Sequence, residues 1–221
     1  MKRIAITGSN GTIGTVLKKG LIEYSITCLD LPEYDVRDYK KLVKVIKGHD
    51  VVIHLCWDTK IDSVISKKIN PDNSLMFYNV YRGSLESNIK RVIMAGSIHA
   101  DTFYGWKGPG FKSSKTIPFP DSPYGAHKVF MESLGRYYSQ KGLEVICLRF
   151  GGVLPNNNPS NGGNPYERAS WLSHKDCVEL VKKCIEAKKV PNGFVIINGV
   201  SNNKKRIHSI SNPLGWKPKD S

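Results

Sequence analysis

Residues 4–14, IAITGSNGTIG, decide the fold: a β-branched run, three glycines at three-residue spacing, then the start of an amphipathic helix. Ile4, Ile6 and Thr7 read as a buried strand, and Ile13, Val16, Leu17 and Leu21 continue with helical periodicity. Such a turn presents bare backbone N–H groups at a helix N-terminus, where a pyrophosphate can be held. Gly8 permits the tight turn, Gly11 lets the backbone approach the phosphates, and Gly14 allows the helix to pack closely on the strand. The second strand, Ser25 to Leu29, ends at Asp30, about twenty residues beyond the glycines. A carboxylate there can accept hydrogen bonds from the ribose hydroxyls of NAD and repels a 2′-phosphate, so the sequence predicts NAD in preference to NADP.

Outward from this unit, Tyr39 to Lys47 reads as a helix and Asp50 to Cys56 (DVVIHLC) as a buried strand. Helices over about Asp72–Ser87, Ser122–Lys141 and His174–Ala187 alternate with strands Arg91–Ala95, Leu143–Phe150 and Phe194–Asn198. The pattern predicts an α/β protein: a Rossmann-like, doubly wound parallel sheet forming one NAD-binding domain over residues 1–221, with residues 151–221 including a reduced substrate-binding portion. Two segments, Asp101–Asp121 and Gly151–Ser170, are long, irregular and rich in Gly, Pro, Asn and aromatics, and they fall at the C-terminal strand ends where ligands bind.

Length and composition restrict the function. The 221 residues suffice for one α/β domain and are too few for two full ones. The sequence shows no apolar stretch near eighteen residues and no signal-like start, which predicts a cytoplasmic protein without a membrane partner. Its five cysteines form no CxxC pair and read as reduced, mostly buried thiols, with no metal site expected. A net charge of +14 raises the question of nucleic acid. The lysine pairs, such as Lys18-Lys19, Lys40-Lys41 and Lys182-Lys183, are spread over solvated helix faces, however, and form no recognised motif. No nucleic-acid partner is expected, and the positive field suits an anionic cofactor or substrate.

The chemistry lies further along. Ser97 follows the fourth strand at the crevice edge, and Tyr124 and Lys128 are four apart on one face of the next helix. An ordinary phenol, with a pKa near ~10, is a poor base at neutral pH, but a neighbouring ammonium and the positive nicotinamide ring favour the phenolate. It can then take a proton from a substrate hydroxyl positioned by Ser97 while the carbon gives hydride to the cofactor. A second YxxxK, Tyr137 and Lys141, sits at the far end of the same helix and reads as packing or surface. His54, in an apolar strand, reads as a core histidine, and His127 as pointing to another helix face.

These residues resemble the extended short-chain dehydrogenase/reductases, the NAD-dependent epimerase/dehydratase family, over almost the whole chain. TGSNGTIG is similar to their TGxxGxxG, which implies cofactor contacts from Gly8, Asn10, Gly11, Thr12, Ile13 and Gly14. Asp35-Val36 is similar to their adenine-contacting pair, and VVIHLCW to their cofactor-side strand, which brings in Leu55, Cys56 and Trp57. SPYGAHK resembles the catalytic YxxxK segment, and Asn73 falls where the family carries an asparagine supporting the active-site lysine and a water chain. Within the family, AGSIHA, LGRYY, YERASWLSHKDC, INGVSNN and LGWKPKD resemble uronate dehydrogenases and NAD-dependent glucose-6-phosphate dehydrogenases.

That resemblance implies Ser97, Ile98 and His99 against a sugar, Arg168 on its carboxylate or phosphate, and a possible homodimer through two helices. Ile98 replaces an amide residue usual in the branch, and the stretch from Arg168 to Trp171 is two residues short. His99 as a loop histidine and Arg168 as a surface charge stay open. The implied reaction is NAD-dependent oxidation of the anomeric hydroxyl of an anionic hexose, a uronate or sugar 6-phosphate, to a lactone. Two alternatives are a nucleotide-sugar epimerase or dehydratase, which needs a larger C-terminal domain, and a non-catalytic dinucleotide-binding sensor, which needs none of Ser97, Tyr124 and Lys128.

Overall fold

A computed structural model describes residues 1–102, 114–115, 117–159 and 165–221. In chain order the elements are β1 (Arg3–Thr7), α1 (Thr12–Gly20), β2 (Ser25–Leu29), α2 (Tyr39–Ile46), β3 (Val51–His54), α3 (Pro71–Glu86), β4 (Arg91–Ser97), α4 (Pro123–Ser139), β5 (Glu144–Phe150), α5 (Pro165–Ser170), α6 (His174–Glu186) and β6 (Phe194–Gly199). Two 3-10 turns complete the described elements: Ile98–Ala100 follows β4 directly, and Pro191–Gly193 leads into β6.

The six strands are parallel and lie in the order β2-β1-β3-β4-β5-β6. The chain steps from β1 outward to β2 and then returns across β1 to β3. Its direction of winding therefore reverses between β1 and β3, and the crevice at such a reversal opens beyond the C-terminal ends of both strands. The glycine loop after β1 and Leu55-Cys56-Trp57 after β3 occupy that place.

Successive side chains of a strand point to opposite faces, and both faces of the inner strands are largely buried, so those strands are mainly apolar, whereas edge strand β2 exposes Ser25 and Cys28. Ile4 and Ile6 of β1 pack in the cluster that holds Leu17 of α1 with Leu180 and Val181 of α6. Ala5 joins the opposite cluster, with Leu42 of α2, Phe77 and Val80 of α3, and Met131 of α4. Where a polar side chain must enter the sheet it is paired: His54 Nδ1 lies 2.7 Å from Thr7 Oγ1, and burial pulls the imidazole down to about 3.

Side-chain caps start four helices: Asp38 for α2, Asn70 for α3, Ser122 for α4 and Ser173 for α6. α1 differs. Its N-cap is Gly11, with no side-chain hydrogen bond, so the first-turn N–H groups carry no internal substitute for an anion.

Three boundaries depart from the sequence reading. β3 ends at His54 instead of Cys56, because after Leu55 N–H donates to Thr7 O the chain leaves the sheet to line the crevice. β4 runs on to Ser97, which pairs with Phe150. Pro165–Ser170, read as part of an irregular segment, forms a short helix. Residues 103–113 and 116 of the first irregular segment, and 160–164 of the second, lie outside the described residues.

Candidate active site

The cofactor end is built from backbone. Gly8 has φ +68°, and a Cβ there would come within 2.7 Å of Cys56 N. At Gly14 a Cβ would come within 2.5 Å of Ser9 O, so the helix closes directly on the loop. Gly8, Gly11, Asp30, Val36, Leu55 and Trp57 are among the residues around a cavity of about 450 Å³. A second cavity, of about 540 Å³, shares Leu55, Trp57 and Thr59 with the first, so the two are ends of one cleft.

Asp30 closes β2 on the first cavity. Its carboxylate oxygens accept from Asn10 N–H at 2.7 Å and Leu31 N–H at 2.9 Å, which fixes it while leaving acceptor capacity. Asp35 and Cys56 line the same cavity, and Ile13 lines the second. Asn10 and Thr12 line neither. Arg37, which the sequence reading passed over, binds Asp35 at 2.7 Å and Asp72 at 2.6 Å on the rim, and its guanidinium holds the Asp35 carboxyl below the usual carboxylate range. An uncapped helix, a glycine cradle and a fixed carboxylate in an elongated cleft fit a dinucleotide such as NAD.

Ser97, Ile98, His99, Tyr124 and Lys128 come together on the second cavity. Ser122 caps α4 by accepting from Gly125 N–H, which puts Tyr124 in the first turn facing the strand ends. Burial pushes the Tyr124 phenol up, and a hydrogen bond with Ser97 works against that rise. Lys128, one turn on, is buried; its Nζ donates to Ala95 O at 2.9 Å and stands 3.3 Å from the centre of the Trp57 ring. Burial pulls its ammonium down to about 7, opposed by the charges of Asp62 and Glu132. The π face of Trp57 also favours the cation.

Asn73 does not hydrogen-bond Lys128. Fully buried, it accepts from Asp58 N–H at 2.8 Å and donates to Asp62 Oδ2 at 3.0 Å. The same Asp62 oxygen lies 2.5 Å from His127 Nδ1, whose Nε2 meets Ser74 Oγ at 2.6 Å. Asp62 and His127 thus tie the Trp57 loop to α3 and α4. On the opposite side of α4, Glu132 takes Arg149 of β5 in a two-pronged pair at 2.7 and 2.8 Å, with Asp101 at 3.6 Å. Sequence reading missed both assemblies, since neither follows a local spacing.

Across the second cavity, α5 turns Tyr166, Glu167 and Ser170 onto its lining. Arg168 is exposed and lies outside that lining. His99 faces the cavity, with Nδ1 held at 2.7 Å by Asp121, another residue the sequence reading did not single out. Tyr137 is half exposed near Tyr138, far from this wall. Among the described residues no His, Cys, Asp and Glu cluster could hold a metal ion, and no helix is long and apolar enough to cross a membrane.

Residues 4–164 match the model of the NAD dependent epimerase/dehydratase family. An L-arabinose 1-dehydrogenase (NAD(P)(+)) of Haloferax volcanii is 32% identical, with 100% of this chain and 97% of that protein covered. A uronate dehydrogenase of Pseudomonas syringae pv. tomato is 26% identical over 99% of this chain and 82% of its own length. The crystal structure of uronate dehydrogenase from Agrobacterium tumefaciens superposes with a TM-score of 0.80 at 26% identity, covering 100% of this chain and 85% of that one. In fold, motif and sequence, then, the chain belongs to the NAD dependent epimerase/dehydratase family, and its cofactor is NAD.

Proposed function

We propose that this chain oxidises the anomeric hydroxyl of a sugar to the lactone. One observation carries the reading: Ser97, Tyr124 and Lys128 line one cavity that opens, past Leu55, Trp57 and Thr59, onto the glycine cradle and Asp30. Bound NAD supplies the hydride acceptor. Ser97 Oγ and the Tyr124 phenol hold the hydroxyl, and Tyr124 takes its proton, helped by the Lys128 ammonium one turn along the helix. Relatives named for arabinose, uronates and glucose 6-phosphate support a sugar as the substrate.

The substrate class that follows from the family resemblance is a hexose with an anion at C6, and the net charge of +14 favours its approach. A neutral sugar is the second reading, favoured by Glu167 lining the cavity while Arg168 stays outside it. Formation of NADH from NAD⁺, or of NADPH from NADP⁺, with glucuronate, galacturonate, glucose 6-phosphate, L-arabinose and UDP-glucose separates the possibilities. Turnover of a uronate or glucose 6-phosphate at least tenfold above arabinose supports the first reading, and the reverse order supports the second. Conversion of UDP-glucose without net NADH or NADPH overturns both.

A further inference from the structure

His99 stands on the cavity wall beside the tyrosine, with the two rings 5.9 Å apart. Its backbone is held on both sides. Ser97 Oγ accepts from His99 N–H at 3.2 Å, and His99 O accepts from Asp121 N–H at 3.3 Å. A Cβ on Gly125 would come within 2.2 Å of that same carbonyl, so the first turn of α4 sits directly on it. The ring therefore has little freedom other than rotation. Asp121 removes that: Oδ2 lies 2.7 Å from His99 Nδ1, and Oδ1 accepts from Ser122 Oγ at 2.8 Å.

An ionised carboxylate only accepts, so the proton of a neutral His99 must be on Nδ1. Nε2 then carries a lone pair, and no other described residue hydrogen-bonds it. We propose that Asp121 is a positioning residue that fixes His99 as the Nδ1–H form, making Nε2 an acceptor for the sugar hydroxyl next to the one oxidised. The assignment rests on the sugar reading above. A ring oxygen has no proton to give Nε2, whereas the neighbouring hydroxyl has one and lies a single carbon from the group held by Tyr124 and Ser97. The site would thus recognise a vicinal diol, with Tyr124 on one hydroxyl and His99 on the other.

Two readouts test this on the whole protein, using Asp121→Asn and Asp121→Leu. Long-range ¹H–¹⁵N spectra of the ligand-free protein assign the histidine tautomers, with His99→Gln identifying the signal. The Nδ1–H form is expected in the wild type and in Asp121→Asn, whose amide oxygen still accepts, and the Nε2–H form should emerge in Asp121→Leu. An Nε2–H form in the wild type, or no change in Asp121→Leu, overturns the proposal even if no sugar is turned over. Kinetics then use L-arabinose or glucose 6-phosphate, whichever reacts, beside its 2-deoxy counterpart. The wild type should lose roughly three- to tenfold in kcat/KM on removal of the hydroxyl, mostly through KM, and Asp121→Leu should lose nothing further. An equal penalty in both proteins shows that Asp121 serves structure alone. Failure of every sugar sinks the function proposed above and leaves the tautomer result standing.

Discussion

The two ends of the cleft are made in different ways. The cofactor end is contiguous and consists mainly of backbone: one loop, three glycines, an uncapped helix and the carboxylate that closes the next strand. The sugar end is made of side chains from β4, the turn after it, α4 and α5, held by buried partners far away in sequence. Backbone sites tolerate changes in nearby side chains and fail when a Cβ appears. Side-chain sites fail when a distant partner is lost.

Tyr124→Phe should break the second end alone. Turnover is expected to fall by about 10²- to 10⁴-fold while NAD affinity, followed by calorimetry, changes less than twofold. Tyr137→Phe should leave both unchanged. Loss of activity from the Tyr137 variant with retention in Tyr124→Phe would exchange the roles assigned to them.

The supports of the sugar end should show up as stability. Arg149→Met leaves Glu132, only 3% exposed, as an unpaired charge beneath α4, at a cost of about 3–5 kcal/mol or ~6–20 °C in Tm. Adding Glu132→Leu should restore part of that loss, because it removes one of the two carboxylates that face Arg149 and leaves Asp101. A double variant as unstable as the single one would mean that packing, and not charge, is what Arg149 supplies.

At the cofactor end, Asp30→Ala should lower the ratio of kcat/KM for NAD over NADP by roughly tenfold. It also removes the acceptor for Asn10 N–H, so affinity for NAD should fall as well. A wild type that uses both cofactors equally would show that Asp30 does not discriminate.

A further effect, read as stability and not as turnover, concerns His54, buried at the end of β3 and held down to about 3. The unfolded chain takes up this proton near ~6.5 and the folded chain does not, so stability falls as pH drops from about 6.5 toward 3. Between pH 7 and 5 the wild type should lose on the order of 2 kcal/mol more than His54→Asn, measured by urea denaturation. Parallel losses in the two proteins would place the acid sensitivity elsewhere.

The contrast also explains what could be read from the sequence. Strand and helix periodicity placed all six strands and every helix but α5, whose six residues lie in a Gly-, Asn- and Pro-rich run too short to show a period. Local spacing brought the glycine loop, Asp30, and the Tyr124–Lys128 pair into view. Partners of the buried charges obey no such spacing: His127 meets Asp62 and Arg149 meets Glu132 only because α4 packs on the sheet and on the loop after β3. Asp121 had a weak signal in its place just before the Ser122 cap, but that position alone reads as an ordinary helix start. Arg168 and Glu167 differ by one residue, and the orientation of α5, which decides between them, depends on tertiary packing.

Of the four tryptophans, Trp57 belongs to both cavities and covers the Lys128 ammonium, Trp171 and Trp216 are buried in the core, and Trp106, outside the described residues, would be replaced by Phe so that it does not contribute to the signal. An indole placed as Trp57 is forms a built-in optical gauge of the cleft. Its emission depends on the charge beside it and on what lies against its edge, so proton loss from Lys128 and arrival of a dinucleotide should each leave a separate mark on the spectrum. Occupancy of the two halves could then be timed in the Trp106→Phe protein, without a label and without waiting for a substrate to be identified.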